Sequence, residues 1–146
     1  MEKNRGIQAF NPRDGMEDYF WYANRVTGLS SAATTGTGII NIDADSDFYC
    51  VAFSYQADIG AALVTESTNI IPLVTLQIND TGSGKSLSNI PLPLGTMAGD
   101  GKRPYRLVRP RVFLSNATIQ LNWTSYVVVG TTYNITFVLH GYKVYK

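Results

Sequence analysis

Residues 79–86 read NDTGSGKS and follow the apolar run PLVTLQI. Gly84, Lys85 and Ser86 supply the second half of G-x-x-x-x-G-K-[ST], the loop whose backbone amides cradle nucleotide phosphates. The first half is missing, because Asn79 stands where the pattern needs glycine. The motif must also open a helix, and SLSNIPLPLG follows, with Pro91 and Pro93 forbidding one. Two glycines flanking a serine suit a long, mobile hairpin loop, and that is the expectation here.

Other reactive side chains are few. DADSD at 43–47 spaces carboxylates like the start of a calcium loop, but Phe48 and Ser54 occupy the positions of its glycine and bidentate glutamate. A solvated acidic turn is expected. His140 is the only histidine and Cys50 the only cysteine. One histidine ligates zinc poorly, and no G-x-S-x-G nucleophile elbow accompanies it, so it reads as a strand-surface or subunit-contact residue. Cys50 lies in FYCVAF and reads as a small buried hydrophobe. No catalytic, cofactor-binding or metal-binding residue is assigned, and the chain is expected to be non-enzymatic with no small-molecule substrate.

Charge is concentrated rather than balanced locally. Residues 1–73 hold four Lys/Arg against nine Asp/Glu, and residues 74–146 hold eight against two. Either the halves neutralise each other within one sandwich or opposite patches meet between subunits. KRPYRLVRPR at 102–111 is the densest basic stretch. A net charge of +1 and the lack of a compact binding motif argue against nucleic acid. A basic edge strand docked on an acidic protein surface is expected, which makes Arg103, Arg106, Arg109 and Arg111 candidate partner contacts.

The elements that would position these residues are strands. Val74, Leu76 and Ile78 alternate with Thr75, Gln77 and Asn79, and Ile119, Leu121 and Trp123 alternate likewise. FYCVAFSYQA and YNITFVLHGYKVY share the period, with a phase change at Gly141 that predicts a β-bulge there. Pro110 breaks YRLVRPRVFL and belongs at an edge or bend. Turn signals every 8–12 residues with almost no helical pattern predict an all-β antiparallel sandwich, jelly-roll-like, as one domain over 34–146. Residues 1–33 read as an extended N-terminal arm joined through the small, polar stretch SSAATTGTG. Its aromatic run Tyr19, Phe20, Trp21 and Tyr22 would anchor it, either on its own domain or on a neighbouring subunit. Four Asn-x-Ser/Thr sequons, at Asn79, Asn116, Asn122 and Asn134, read as turns and solvent faces. MEKNRGIQAF lacks the apolar segment of a signal peptide, and no run is long and apolar enough to span a bilayer, so no membrane association is expected.

PYRLVRPRVFLSNATIQLNW and, after a short connection, YNITFVLHGYKVY resemble small structural proteins of tailed-bacteriophage virions. In that family an Arg-Pro segment leads into an -ATI-L- strand, and the last strand ends in an aliphatic-His/Ser-Gly-Tyr-Lys-Val/Ile-Tyr pattern. The resemblance covers residues 104–145. It implies a jelly roll that cements or decorates a capsid, often as a homotrimer, against the major capsid protein or other virion proteins, or one that serves near the neck or tail. The implied location is the virion, assembled in the host cytoplasm. The alternative is a carbohydrate- or receptor-binding sandwich of a tail, fibre or neck, with Trp21, Trp123 and tyrosines as a stacking platform, although Trp123 alternates with Leu121 as a core residue would.

Overall fold

Thr118–Ser125 buries Ile119, Leu121 and Trp123 and turns Gln120, Asn122 and Thr124 partly to solvent, the pleat of a strand with one face on a core. The same period recurs along the chain. The computed structural model describes residues 16–59, 71–126 and 131–146. Their strands are β1 (Glu17–Ser30), β2 (Thr35–Asn41), β3 (Ser46–Ile59), β4 (Val74–Asp80), β5 (Lys85–Ser86), β6 (Leu92–Pro93), β7 (Tyr105–Phe113), β8 (Thr118–Ser125) and β9 (Thr132–Tyr145), with one helical turn, α1 (Leu94–Met97).

The strands form two antiparallel sheets in the orders β1-β9-β3-β7 and β2-β8-β4-β5, with β6 also pairing with β4. The pairings β1–β9, β2–β8, β3–β7 and β4–β5 are those of one long hairpin folded at residues 81–84. Rolling that hairpin brings β9 against β3 and β8 against β4, and so divides it between two facing sheets. With β5 and β6 sharing one strand position, this is the eight-strand jelly roll. The all-β antiparallel sandwich expected from the sequence is therefore the fold.

Between the sheets lie Phe48, Phe113, Trp123, Phe137, Leu121 and Leu139, all essentially without solvent contact. Phe137 sits at the centre, 5.5 Å from the Phe53 ring and 6.0 Å from Trp123 in edge-to-face geometry. Each such side chain contributes about 1.5–3 kcal/mol by leaving water. Trp123 is thus part of the core and forms no stacking platform.

Four local expectations are revised by the packing. Residues 17–30, expected within an N-terminal arm, form the edge strand β1, paired along its length with β9; residues 1–15 lie outside the described residues. The stretch expected as a linker is a short connection followed by β2. Its glycines are close-approach sites: a Cβ on Gly36 would touch Val26 and Leu29, and one on Gly38 would collide with Asn24. Small residues there let β1 lie across β2 where the sheets meet.

The bulge predicted at Gly141 lies instead across the ladder, on β3 between Cys50 and Ala52. β9 runs through Gly141 in unbroken register with β1. The apparent phase change arises because Tyr142 and Val144 are outward-facing apolar residues while Lys143 points inward and is buried. NDTGSGKS is a tight, ordered hairpin and not a long mobile loop. Asp80 pairs with Lys85, and its Oδ1 accepts from the amides of Gly82 and Ser83 at 3.0 and 3.4 Å. Gly84 takes the left-handed conformation at φ 68°.

Candidate interaction surfaces

Register places the outward side chains of the first sheet in rows. Tyr19, Tyr142 and Tyr49 stand opposite one another on β1, β9 and β3, with Val112 next on β7. Tyr142 and Tyr49 stack at 5.2 Å with planes 8° apart, and Tyr19 is 91% exposed. The next row is Trp21, His140, Ala52 and Arg106. Trp21 is 67% exposed and meets the His140 ring edge-on at 6.3 Å. Ala23, Val138 and Ser54 follow, then Arg25, Thr136 and Gln56. Adjacent rows are about 7 Å apart and β1 to β3 spans about 10 Å, so the aromatic rows make a shallow, ring-sized relief.

The aromatic run therefore divides by the pleat. Tyr19 and Trp21 face solvent, whereas Phe20 is half-buried and Tyr22 is core, edge-on to Phe48 at 4.8 Å. Tyr22 is not accessible to a partner, and its hydroxyl accepts from the Asp43 amide at 3.1 Å. Lys143 fills the space above Phe20, its ammonium 3.9 Å from the ring centroid and paired with Asp43. Burial works against the Lys143 charge, but the Asp43 hydrogen bond and the surrounding negative charge outweigh it and leave its pKa raised. The same hydrogen bond holds the Asp43 carboxyl below its ordinary value.

The acidic turn is thus a partner of the C-terminal strand. Asp43 pairs with Lys143, and Asp47 pairs with Lys146 at 3.2 Å while accepting from the Ser115 amide. These ion pairs join the acidic and basic halves within one sandwich. Among the described residues no group of acidic, histidine or cysteine side chains is arranged to hold a metal. Cys50 is buried and its thiol is pushed up to about 12 by desolvation.

His140 Nε2 lies 2.6 Å from Ser54 Oγ. Burial lowers the histidine pKa, which favours the neutral ring at pH 7. Ser54 is buried mid-strand, not raised on a sharp turn, and the register neighbours of His140 are Trp21 and Ala52. The pair orients the imidazole on the sheet surface rather than building a nucleophile.

A second surface lies along β7. Between Cys50 and Ala52 on β3 the chain advances two residues, while β7 advances from Arg111 back to Arg106, so residues 107–110 leave the ladder. Pro110, which cannot donate a ladder hydrogen bond, sits in this excursion, as the edge placement predicts. Val108 is 98% exposed, and Tyr105, Val112 and Leu114 are also exposed. Of the candidate arginines, Arg103, Arg106 and Arg109 are exposed. Arg111 is half-buried, 3.7 Å from the buried Asp80 carboxylate and 5.9 Å from the Phe113 ring, so it braces the hairpin tip. Beneath the excursion a cavity of about 430 Å³ opens between the sheets, lined by Phe53, Ile78, Leu92, Met97, Leu107 and Arg109 among others.

The chain matches no protein-family model, no curated protein and no solved structure.

Sequence reasoning missed Tyr49, Tyr142, Ser54 and Gln56 as members of one surface. The bulge on β3 switches the outward phase between Tyr49 and Ser54, and the buried Lys143 disguises that of Tyr142, so only the register brings them together. Of the sequon asparagines, Asn116 takes a turn conformation at φ 64°. Asn134 is buried instead, its Oδ1 accepting from the Gly28 amide at 3.2 Å.

Proposed function

We propose that this chain is a non-enzymatic structural protein of a tailed-bacteriophage virion, cementing or decorating the particle through protein–protein contacts. The observation that carries the reading is the β7 edge of the jelly roll. There, exposed Val108, Tyr105 and Leu114 stand among Arg103, Arg106 and Arg109 above a groove lined by Phe53, Ile78, Leu92 and Leu107. Such a surface is costly to leave in water and is complementary to an acid-rimmed apolar segment of a neighbouring subunit. The interior of the roll is packed with aromatic side chains, so the fold offers surfaces rather than a central pocket. The resemblance of residues 104–145 to virion proteins falls on β7, β8 and β9, the same region. Fold alone does not assign the role, since jelly rolls serve capsids and lectins alike.

The expected assembly is a homotrimer that binds the capsid or another virion protein. Sedimentation of the purified chain, alone and mixed with particles of the encoding phage, tests this. Cosedimentation lost in a Val108→Asp/Arg109→Glu variant of unchanged melting temperature supports it. A chain that stays monomeric and never travels with capsids or tails overturns it.

A further inference from the structure

A second cavity, of about 360 Å³, lies on the outer face of the first sheet. It is at the small end of the range that holds organic ligands, about 300–1,000 Å³. Its floor is Ser54, Gln56, Thr136, Val138 and His140, and Arg25 closes one end. The far wall is the loop at Gly101. That loop is tied down on both sides. The Tyr55 amide donates to the Gly99 carbonyl at 2.9 Å, and Asp100 Oδ1 accepts from the Lys102 and Arg103 amides at 2.9 and 2.7 Å. The groove is therefore built into the sheet.

Its chemistry is distinctive. Hydroxyl, amide and imidazole groups line the floor, and the exposed indole of Trp21 stands in the row of His140. Arg25 is exposed and its Nε donates to Thr136 Oγ1 at 3.1 Å, which fixes the guanidinium beside the groove with donors still unused. Arg106 occupies the far end of the Trp21 row. Of the carboxylates near this face, Glu17 and Asp47 are in the row at the opposite end, past the tyrosines; Asp58 is buried in the row beyond Gln56 and Thr136, and Asp100 is engaged by the amides of its own loop.

An aromatic plane beside closely spaced neutral hydrogen-bonding groups suits the apolar face and hydroxyls of a sugar ring, and a fixed guanidinium suits a carboxylate. We propose that this groove, with Trp21 as its platform, binds an acidic glycan, a sugar chain carrying uronic or sialic acid residues. The site's floor is the face of the sheet on β3 and β9, and only Arg106 is shared with the β7 edge, so it rests on other residues than the cementing role. The tyrosine row beside it, about 7 Å further on, supplies a second platform for the next ring of the chain.

The test is a glycan array bearing sialylated, uronic-acid and neutral oligosaccharides, followed by calorimetric titration with the strongest acidic hit. Trp21→Ala and Arg25→Gln replace exposed side chains, and unchanged melting temperatures will show that both variants fold. Trp21→Ala is expected to weaken binding about tenfold or more by removing the stacking plane. Arg25→Gln is expected to remove the preference for acidic over neutral glycans while leaving neutral binding as it was. The Val108→Asp/Arg109→Glu variant keeps glycan affinity, which separates this site from the β7 edge. No acidic glycan bound above neutral ones, or binding indifferent to both substitutions, overturns the proposal. So does a Trp21→Ala variant that loses self-association, because a second copy would then cover the face.

Discussion

Gly141→Ala puts a methyl group where the backbone of β3 already runs. Gly141 faces the core from β9, an inner strand of the first sheet, opposite Phe20 on one side and Cys50 on the other. A Cβ there would overlap the Tyr49 carbonyl oxygen and come within 2.8 Å of Phe48 Cζ. The oxygen belongs to the ladder, and the Phe48 ring is fully buried and held edge-on by Tyr22. Neither can yield without parting β3 from β9. Overpacking a core typically costs about 1–3 kcal/mol, and here the yielding atom is backbone, so about 3 kcal/mol or more is expected. For a chain of this size each kcal/mol lowers Tm by ~2–4 °C, which gives a fall of roughly 6–12 °C. Thermal and urea unfolding followed by circular dichroism measure it, with Gly95→Ala as the matched control. Outside its own helical turn, nothing lies within 4 Å of a Cβ on Gly95, so that variant should melt at the parent temperature or slightly above. A Gly141→Ala protein melting within about 2 °C of the parent would refute the unbroken passage of β9 beneath Phe48.

Asp43→Asn leaves the buried Lys143 ammonium without its carboxylate and should cost about 1–2 kcal/mol, less than a fully buried pair because Asp43 is half exposed. Because the folded pKa of Asp43 is depressed, its contribution is present above the ordinary value of 3.8 and lost as pH falls through the folded value. The variant should therefore show a flatter acid limb in its stability–pH profile, and an unchanged slope below pH 3.8 would contradict the pairing. Lys143 is raised above 10.5, so its share persists to that pH and fades only beyond it, a loss that a Lys143→Met variant should not show in alkaline titration. Asp80→Ala removes the acceptor of two turn amides and the Ser83 hydroxyl at the hairpin tip, and should cost roughly 2–3 kcal/mol in urea unfolding. Cys50, with its pKa near 12, should resist thiol reagents at pH 8 in the native protein and react fully in denaturant. Stoichiometric labelling of the folded chain within minutes would contradict that burial.

Strands whose two faces differ in polarity were legible from alternation alone, which is why Val74–Asp80 and Thr118–Ser125 fall where the pattern puts them. β1 was not, because aromatic residues occupy both of its faces. Tyr19 and Trp21 carry outward what Phe20 and Tyr22 carry inward, and a period of two vanishes when both phases are apolar. Gly36 and Gly38 read as flexibility because a glycine needed for close approach looks the same as one needed for freedom. Lys143 hid the continuity of β9 for the converse reason: a cation buried against Phe20 and Asp43 occupies a core phase. The aromatic rows were beyond reach. Tyr19, Tyr49 and Tyr142 are far apart in sequence, and their meeting depends on a register set by long-range pairing.

The rolled hairpin also accounts for where the surfaces lie. One side of the sandwich is closed: Gly36 and Gly38 allow β1 to settle on β2, and Val26 and Leu29 fill the corner. The other side cannot close the same way. β5 and β6 are only two residues each, and β7 lifts residues 107–110 out of the ladder above them. The sheets consequently part there, and the larger groove opens beneath Leu107 and Arg109. Edge strands invite further pairing, and the arginines with Pro110 in this one restrict which partner can approach. The opposite edge strand, β1, instead presents Tyr19 and Trp21 on the sheet face. The two proposed roles follow this division, protein at the β7 edge and a flat, hydrogen-bonding ligand on the sheet face. The face groove is floored by β3 and β9 and walled by the loop that leads into β7, so the two surfaces adjoin at that loop.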